Sequence, residues 1–354
     1  MKKKKICILF GGRSAEHEVS LVSAQAIFKN LNSDLYEVTS VFINKEGAWR
    51  IVDSPLLEKE DLNSGSFFSF LPWRKHSNSF FIDADVYFPV LHGPYGEDGT
   101  IQGLFEMADV PYVGATVLAS AAGMDKAVAK TLFKEKNLPV VNFITVKEAD
   151  WNREPGAVRA RVFHTFALPF FVKPSNLGSS VGITKVKDFA LAEQAIKEAF
   201  LFDRKVLIEE GIEGREMECS VLGNDFPKAS LPGEIIPYNE FYDYRDKYID
   251  GKTTFGIPAD LPQKVAEDIQ KISIEAFQCI DCSGMARVDF FLQKGTGKIY
   301  LNELNTIPGF TEISMYPKLW EKSGLPFPRL LTELINLAIE KHTTKKRGER
   351  TFTA

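Results

Sequence analysis

Cysteine is scarce in this chain: there are four among 354 residues, at positions 7, 219, 279 and 282. That scarcity excludes a disulfide framework, and a chain of this length buries roughly three quarters of its unfolded surface without one. Cys279-Ile-Asp-Cys282 has redox spacing. It sits late in a helical pattern, outside a thioredoxin-like βαβ context, and no second pair completes a zinc site. The four are read as reduced, mostly buried thiols. A basic excess is also missing. Lys plus Arg number 43 against 47 Asp plus Glu, a net charge of −4, which argues against a nucleic-acid binder. No apolar run approaches the ~20 residues of a membrane span. Met1-Lys2-Lys3-Lys4-Lys5 mimics the start of a signal peptide, but Ile6 to Phe10 is too short for its apolar core and runs into Gly11-Gly12. A cytoplasmic protein is expected, with no membrane and no nucleic acid among its partners.

What is present is ordinary globular composition, 44% apolar and 25% charged. At one domain per ~150 residues, two or three domains are expected. Residues 5–10 read as a buried strand, followed by a helix over about 15–30 and a strand over 36–43. The apolar run 85–91 ends in the loop His92-Gly-Pro-Tyr-Gly-Glu-Asp-Gly99, and a helix over about 100–107 follows. This opening third reads as an open α/β domain with parallel strands. From Gly123 the texture changes. Asp125 caps a helix to about Lys136, strands and helices alternate to Leu222, and 237–258 is long, polar and aromatic. A loop of that length is usually a lid or a binding loop. A helix over 262–278, a hairpin over 285–305 and a helix over 327–341 close the chain, and 343–354 is expected to fray.

The hairpin is the most informative piece. Arg287, Asp289 and Phe291 alternate with Val288, Phe290 and Leu292, while Ile299, Leu301, Glu303 and Asn305 are expected to share one face. Centring the turn on Thr296 places Asp289 opposite Glu303 and Arg287 opposite Asn305. Facing carboxylates destabilise a sheet. A divalent cation between them reverses that sign, and oxygen-only ligands suit Mg²⁺. A solvated face with a bulge-shifted register is the bland alternative.

Lys173-Pro-Ser-Asn-Leu-Gly-Ser-Ser-Val-Gly182 follows an apolar strand and is rich in small residues. Backbone N–H groups in such a loop approach phosphate closely. It is not a Walker A loop, because the lysine precedes the glycines; an ordinary flexible turn is the alternative. In Gly11-Gly-Arg-Ser-Ala-Glu-His-Glu18, Glu16 either complements a helix dipole or receives a substrate ammonium. His92 either serves a site or merely bonds the backbone. Lys126 follows a helix cap, where many lysines are only solvated, and Glu209-Glu210 ends a strand, where acids are common.

Together these pieces resemble the ATP-grasp superfamily and, within it, the D-alanine–D-alanine ligases. The resemblance spans nearly the whole chain. It rests on Gly11 to Ser20, Leu91 to Thr100, Met124-Asp-Lys126, Lys173 to Gly182, Tyr242-Asp-Tyr-Arg-Asp-Lys-Tyr248, Ala286-Arg-Val-Asp289 and Asn302-Glu-Leu-Asn-Thr-Ile-Pro-Gly309. Ala286 stands where glycine is common in the family.

The resemblance implies an α/β protein of α+β character, with an ATP-grasp fold behind an N-terminal open parallel α/β domain. The implied divisions are 1–123, a central 124–211, a catalytic 212–342 and a tail. It implies that ATP drives the joining of two D-alanine molecules through an acyl phosphate, for peptidoglycan synthesis, in a homodimer. Lys126 and Lys173 would meet phosphates, and Glu209 and Glu216 the ribose or adenine region. Asp289, Glu303 and Asn305 would hold two Mg²⁺ ions, with Mn²⁺ as a substitute. Glu16 would bind the first ammonium in a hydrogen-bonded set with Ser179 and Tyr248. Arg287 and the Gly309 N–H would form an oxyanion hole. His92, Lys247 and Ser314 would bind substrate, Ser314 through the second carboxylate. Siblings forming D-alanyl-D-lactate or D-alanyl-D-serine are alternatives, and Tyr248 favours the dipeptide. A nucleotide-binding regulator without turnover is the alternative of another class.

Overall fold

A computed structural model describes residues 2–56, 58–67, 82–236 and 253–346. Its first sheet is built on β1 (Lys4–Gly11), whose residues 6–10 are buried. A run buried on both faces belongs in the middle of a parallel sheet. β1 pairs in parallel with β2 (Tyr36–Ile43) on one side and, among later strands, with β5 (Val86–Val90) on the other. β3 (Trp49–Val52) and β4 (Ser66–Phe67) extend the β2 edge antiparallel, giving the order β4-β3-β2-β1-β5. The sheet is therefore mixed rather than all-parallel. A parallel crossover takes a dozen or more residues, and residues 44–48 are too few, so β3 must return antiparallel.

The strand order reverses at β1, and the loops after β1 and β5 leave from neighbouring carboxyl ends. Ligands of open α/β sheets bind at such a switch point. Glu16 and His92 lie on those two loops.

The second sheet comprises β6 (Phe143–Lys147), β7 (Phe170–Pro174), β8 (Thr184–Val186) and β9 (Lys205–Glu210), ordered β6-β9-β7-β8 and all antiparallel. The third comprises β10 (Gly214–Gly223), β11 (Lys228–Ala229), β12 (Gly233–Ile236), β13 (Thr254–Gly256), β14 (Gly284–Gln293) and β15 (Ile299–Asn305). Its order is β13-β12-β10-β14-β15, with β11 beside β10. The Gln263–Cys279 helix covers this third sheet through Ile269, Ala276 and Phe277. Ala129 and Phe133 of the Lys126–Glu135 helix share that same core.

The N-terminal core does not end at residue 123. Ile6, Phe10 and Phe88 pack in one cluster with Met285, Ile307, Phe310, Tyr316 and Leu334. The last helix, Phe327–Lys346, runs past the expected end at Lys341. Lys345, in the stretch expected to fray, is ion-paired with Glu106, and just before that stretch His342 Nε2 lies 3.1 Å from Asp109 Oδ1. Four described helices had no sequence assignment: Lys59–Leu62, Val117–Met124, Glu148–Arg153 and Met315–Lys322. Of the three longer ones, the first is small and apolar on every side, so it shows no helical period. The last has Pro317 in its first turn, where proline is tolerated. The cysteines are free, and Cys7, Cys219 and Cys282 are buried.

Candidate functional site

The hairpin reaches the expected pairing by an unexpected route. Asp289 faces Glu303 and Arg287 faces Asn305, but Phe290 pairs with Leu301 and Leu292 with Ile299. At the turn the strands are one residue out of the Thr296-centred register. A bulge then inserts Asn302 between the partners of Phe290 and Asp289, and the shift is cancelled. The expected single face is split as a result. Leu301 and Leu304 enter the core, while Glu303 and Asn305 turn outward beside Asp289. The bulged Asn302 presents Oδ1 at 3.5 Å from Lys173 Nζ.

The opposed carboxylates are compensated by cations. Arg287 donates through Nε and Nη2 to the two oxygens of Asp289, at 2.8 and 2.7 Å, and its Nε lies 3.1 Å from Glu218. Asn305 Nδ2 donates to Asp289 at 3.1 Å. Lys126 Nζ lies 3.3 Å from Glu303 and donates to the Leu177 carbonyl at 2.7 Å. The carboxylates around Arg287 hold its guanidinium well above the usual arginine range against the penalty of burial.

Apart from Asn305, which lines the smaller space described below, these residues line a cavity of about 640 Å³ between the second and third sheets. Lys126, Lys173, Glu209, Glu216, Asp289 and Glu303 all face it. Glu209, expected at the ribose or adenine region, faces the cavity but is already engaged by the protein. It is 2% exposed and its two oxygens are ion-paired, one with Lys130 at 2.9 Å and the other with Lys173 at 2.6 Å. The two lysines pull its carboxyl down to about 2 despite burial.

A second cavity, of about 100 Å³, adjoins the first and is lined by Glu16, His92, Glu97, Arg287, Gly309 and Ser314, among others. Gly178, Ser179, Glu218, Arg287 and Glu303 line both. Ser179 donates its hydroxyl to Glu16 across 163 positions of sequence. Ser179 and Ser180 both hold left-handed backbone, φ 51° and 59°, which for residues with a Cβ marks a constrained loop. Gly93 and Gly178 leave room for Glu16 in this orientation; a Cβ would stand 2.4 Å and 3.1 Å from its Oε2.

His92 lines this cavity, but both its ring nitrogens meet the protein. Nδ1 is 3.0 Å from the Ile307 carbonyl and Nε2 is 3.2 Å from Ser23 Oγ. Burial holds the ring below the ordinary histidine range, which favours the neutral imidazole. Ser314 Oγ accepts from the Thr311 N–H at 3.0 Å and stands where a Cβ on Gly309 would be 2.7 Å away. Tyr248 and Lys247, with the rest of 237–252, lie outside the described residues.

The sequence reading missed three residues. Glu218 shares a strand face with Glu216, a two-residue spacing that pointed to it. Lys130 lies one helical turn beyond Lys126. Glu97 sits in the Gly-Glu-Asp-Gly stretch, buried, and accepts from the Gly93 N–H at 3.0 Å. Burial, reinforced by Glu16, pushes its carboxyl up to about 8. Folded protein therefore keeps a proton that an unfolded chain loses near 4.5. Stability from this group is complete below that pH and falls as pH rises toward 8. Glu97→Gln removes the titration. Its stability relative to the parent is expected to climb between pH 4.5 and 8, by up to about 1.4 kcal/mol per pH unit. Urea unfolding at pH 5.5 and pH 8 measures this, and parallel profiles would reject the neutral carboxyl.

Known proteins of similar sequence and fold identify the family. Residues 5–115 match the family model described as D-ala D-ala ligase N-terminus, and residues 132–336 match the one described as D-ala D-ala ligase C-terminus. The chain belongs to the D-alanine–D-alanine ligase family. The D-alanine–D-alanine ligase of Thermoanaerobacter sp. strain X514 is 51% identical over 98% of this chain and 99% of its own length. That of Acetivibrio thermocellus is 47% identical over 96% and 97%. Among solved structures, the D-alanine–D-alanine ligase from Coxiella burnetii superposes with a TM-score of 0.86 at 41% identity, covering 98% of this chain and 97% of the other. VanG, the D-Ala:D-Ser ligase from Enterococcus faecalis, gives 0.83 at 36% identity, covering 95% and 100%. The ligase has the fold of these enzymes, and among its described residues no helix is long and apolar enough to cross a membrane.

Proposed function

We propose that this ligase joins two D-alanine molecules into D-alanyl-D-alanine with ATP, through an acyl phosphate, as a cytoplasmic homodimer supplying peptidoglycan synthesis. The observation that carries the reading is the wall shared by the two cavities, where Ser179, Arg287 and Glu303 face both. A nucleotide in the larger space and an amino acid in the smaller one would meet there.

The residues divide the work by charge. Lys126 and Lys173 meet the phosphates, and Glu216 faces the nucleotide from β10. Glu16, oriented by Ser179, holds the ammonium of the first D-alanine, and Tyr248 joins that set from the 237–258 lid. The first carboxylate attacks the terminal phosphorus and ADP leaves. The second D-alanine attacks the carbonyl as a neutral amine, after its ammonium has lost a proton. Arg287 and the Gly309 N–H receive the charge that develops on the carbonyl oxygen, and phosphate departs. Ser314 and the N-terminal end of the Met315–Lys322 helix receive the second carboxylate.

The donor set fits Mg²⁺. Asp289, Glu303 and the side-chain carbonyl of Asn305 are oxygen donors, although the Asn305 amide nitrogen is the group turned to Asp289 here, and Arg287 and Lys126 compensate the opposed carboxylates with positive charge. Among the described residues no three acidic, histidine or cysteine side chains form a cage. With two carboxylates and one amide in the set, phosphate oxygens would have to complete the coordination. When bound, two Mg²⁺ or Mn²⁺ ions would neutralise the phosphoryl group as it transfers.

The test is an amino-acid panel read by phosphate release from Mg-ATP, with products identified by mass. D-Alanine alone is expected to give the fastest release and the dipeptide. A dominant mixed product with D-serine or D-lactate would replace the reading with a sibling activity. No stimulation by any D-amino acid would remove it.

A further inference from the structure

Lys130 faces neither cavity and has no part in the chemistry so far, yet it is 1% exposed and carries its amino group into the interior. Burying a lysine is costly unless the charge is paired. Its Nζ lies 2.9 Å from Glu209, whose other oxygen lies 2.6 Å from Lys173. The three groups form a line from behind the large cavity to its wall. Lys173, at 8% exposed, is the only one of the two ammonium groups to reach the nucleotide space.

We propose that Lys130 is a positioning residue for nucleotide binding: it shares Glu209 with Lys173 and so leaves Lys173 as an uncancelled cation for the polyphosphate. The inference rests on the phosphate role of Lys173 stated above.

With Lys130 protonated, the two lysines and one carboxylate carry one net positive charge beside the nucleotide; Glu303 and Glu216 also act on Lys173 from the cavity wall, and they stay the same in every variant below. Without Lys130, Glu209 and Lys173 would form a closed neutral pair, and the attraction for phosphate would be spent inside the protein. Glu209 stays ionised, because both lysines hold its carboxyl low. Burial pulls the Lys130 ammonium below the ordinary lysine range, and Glu209 opposes that shift. The Lys126–Glu135 helix supports the geometry. Lys126 and Lys130 are four apart, so both point toward the same wall, one at the cavity and one beneath it.

The experiment is calorimetric binding of adenosine, AMP, ADP and ATP to the whole enzyme and three variants. Lys130→Met is expected to bind adenosine as the parent does and to lose affinity with each added phosphate, reaching roughly tenfold for ATP. Lys130→Met/Glu209→Gln restores one net positive charge and is expected to recover the phosphate-dependent part. Equal weakening of all four ligands in Lys130→Met, with no recovery in the double variant, would show a merely structural lysine and overturn the proposal. If Lys130→Met fails to fold, the double variant decides alone, since it must bind ATP with the parent's preference over adenosine. Lys173→Met is the control. If it shows a phosphate-dependent loss and Lys130→Met does not, only the Lys130 role fails. If it binds all four as the parent does, the phosphate role of Lys173 fails, and this inference with it.

Discussion

Glu303→Gln is expected to lower turnover by roughly a thousandfold while leaving the melting temperature nearly unchanged. Glu303 faces Asp289 across β14 and β15, on the wall common to both cavities. Glutamine keeps the shape and can still meet Lys126, now 3.3 Å from the carboxylate. It removes the anion that would hold Mg²⁺ against the phosphates. The carboxylate is about a quarter exposed, and its loss relieves repulsion with Asp289. The fold therefore should not suffer. Phosphate release and Mg²⁺ titration in the presence of nucleotide measure the effect. A rate within tenfold of the parent would take Glu303 out of the metal set.

Arg287→Lys is expected to reduce kcat by about 10²–10³, with a much smaller change in the KM for ATP. The guanidinium binds Asp289 as a fork and reaches Glu218 from the same nitrogen that holds one Asp289 oxygen. Lysine offers a point charge and cannot reproduce that fork. The positive charge remains, but it is no longer fixed where the carbonyl oxygen becomes an oxyanion. Glu218, 6% exposed at its side chain, also loses a well-placed partner. A drop in melting temperature is expected alongside the rate effect, because unpairing a buried carboxylate destabilises. Equal loss in kcat and in ATP binding would mean that Arg287 acts on the nucleotide rather than on the intermediate.

Much of the site was legible because its chemistry is written in residue types. Lys173 followed by small residues marked a phosphate loop, and alternation on β14 separated Arg287 and Asp289 from Val288 and Phe290. Glu16 and Ser179 were joined only by family resemblance. Their spacing of 163 positions holds no periodic signal, and the hydrogen bond forms where two domains meet. Family resemblance alone assigns Glu209 to the ribose or adenine region, since acids are common at strand ends. The structure closes it between two lysines, one of which lies on a helix whose pattern alone does not say which neighbour it meets.

The polypeptide by itself determined the elements that have a period and the kinds of chemistry available. The buried run of β1, the amphipathic Gln263–Cys279 helix and the acidic hairpin all follow from side-chain spacing, because burial on one face is a local demand. Tertiary structure alone decided the bulge at Asn302 and the burial of Lys130. Each of these depends on what the rest of the molecule packs against the segment. A one-residue shift in the hairpin reverses which face its carboxylates occupy, so the core that takes up Leu301 and Leu304 is what turns Glu303 toward Asp289.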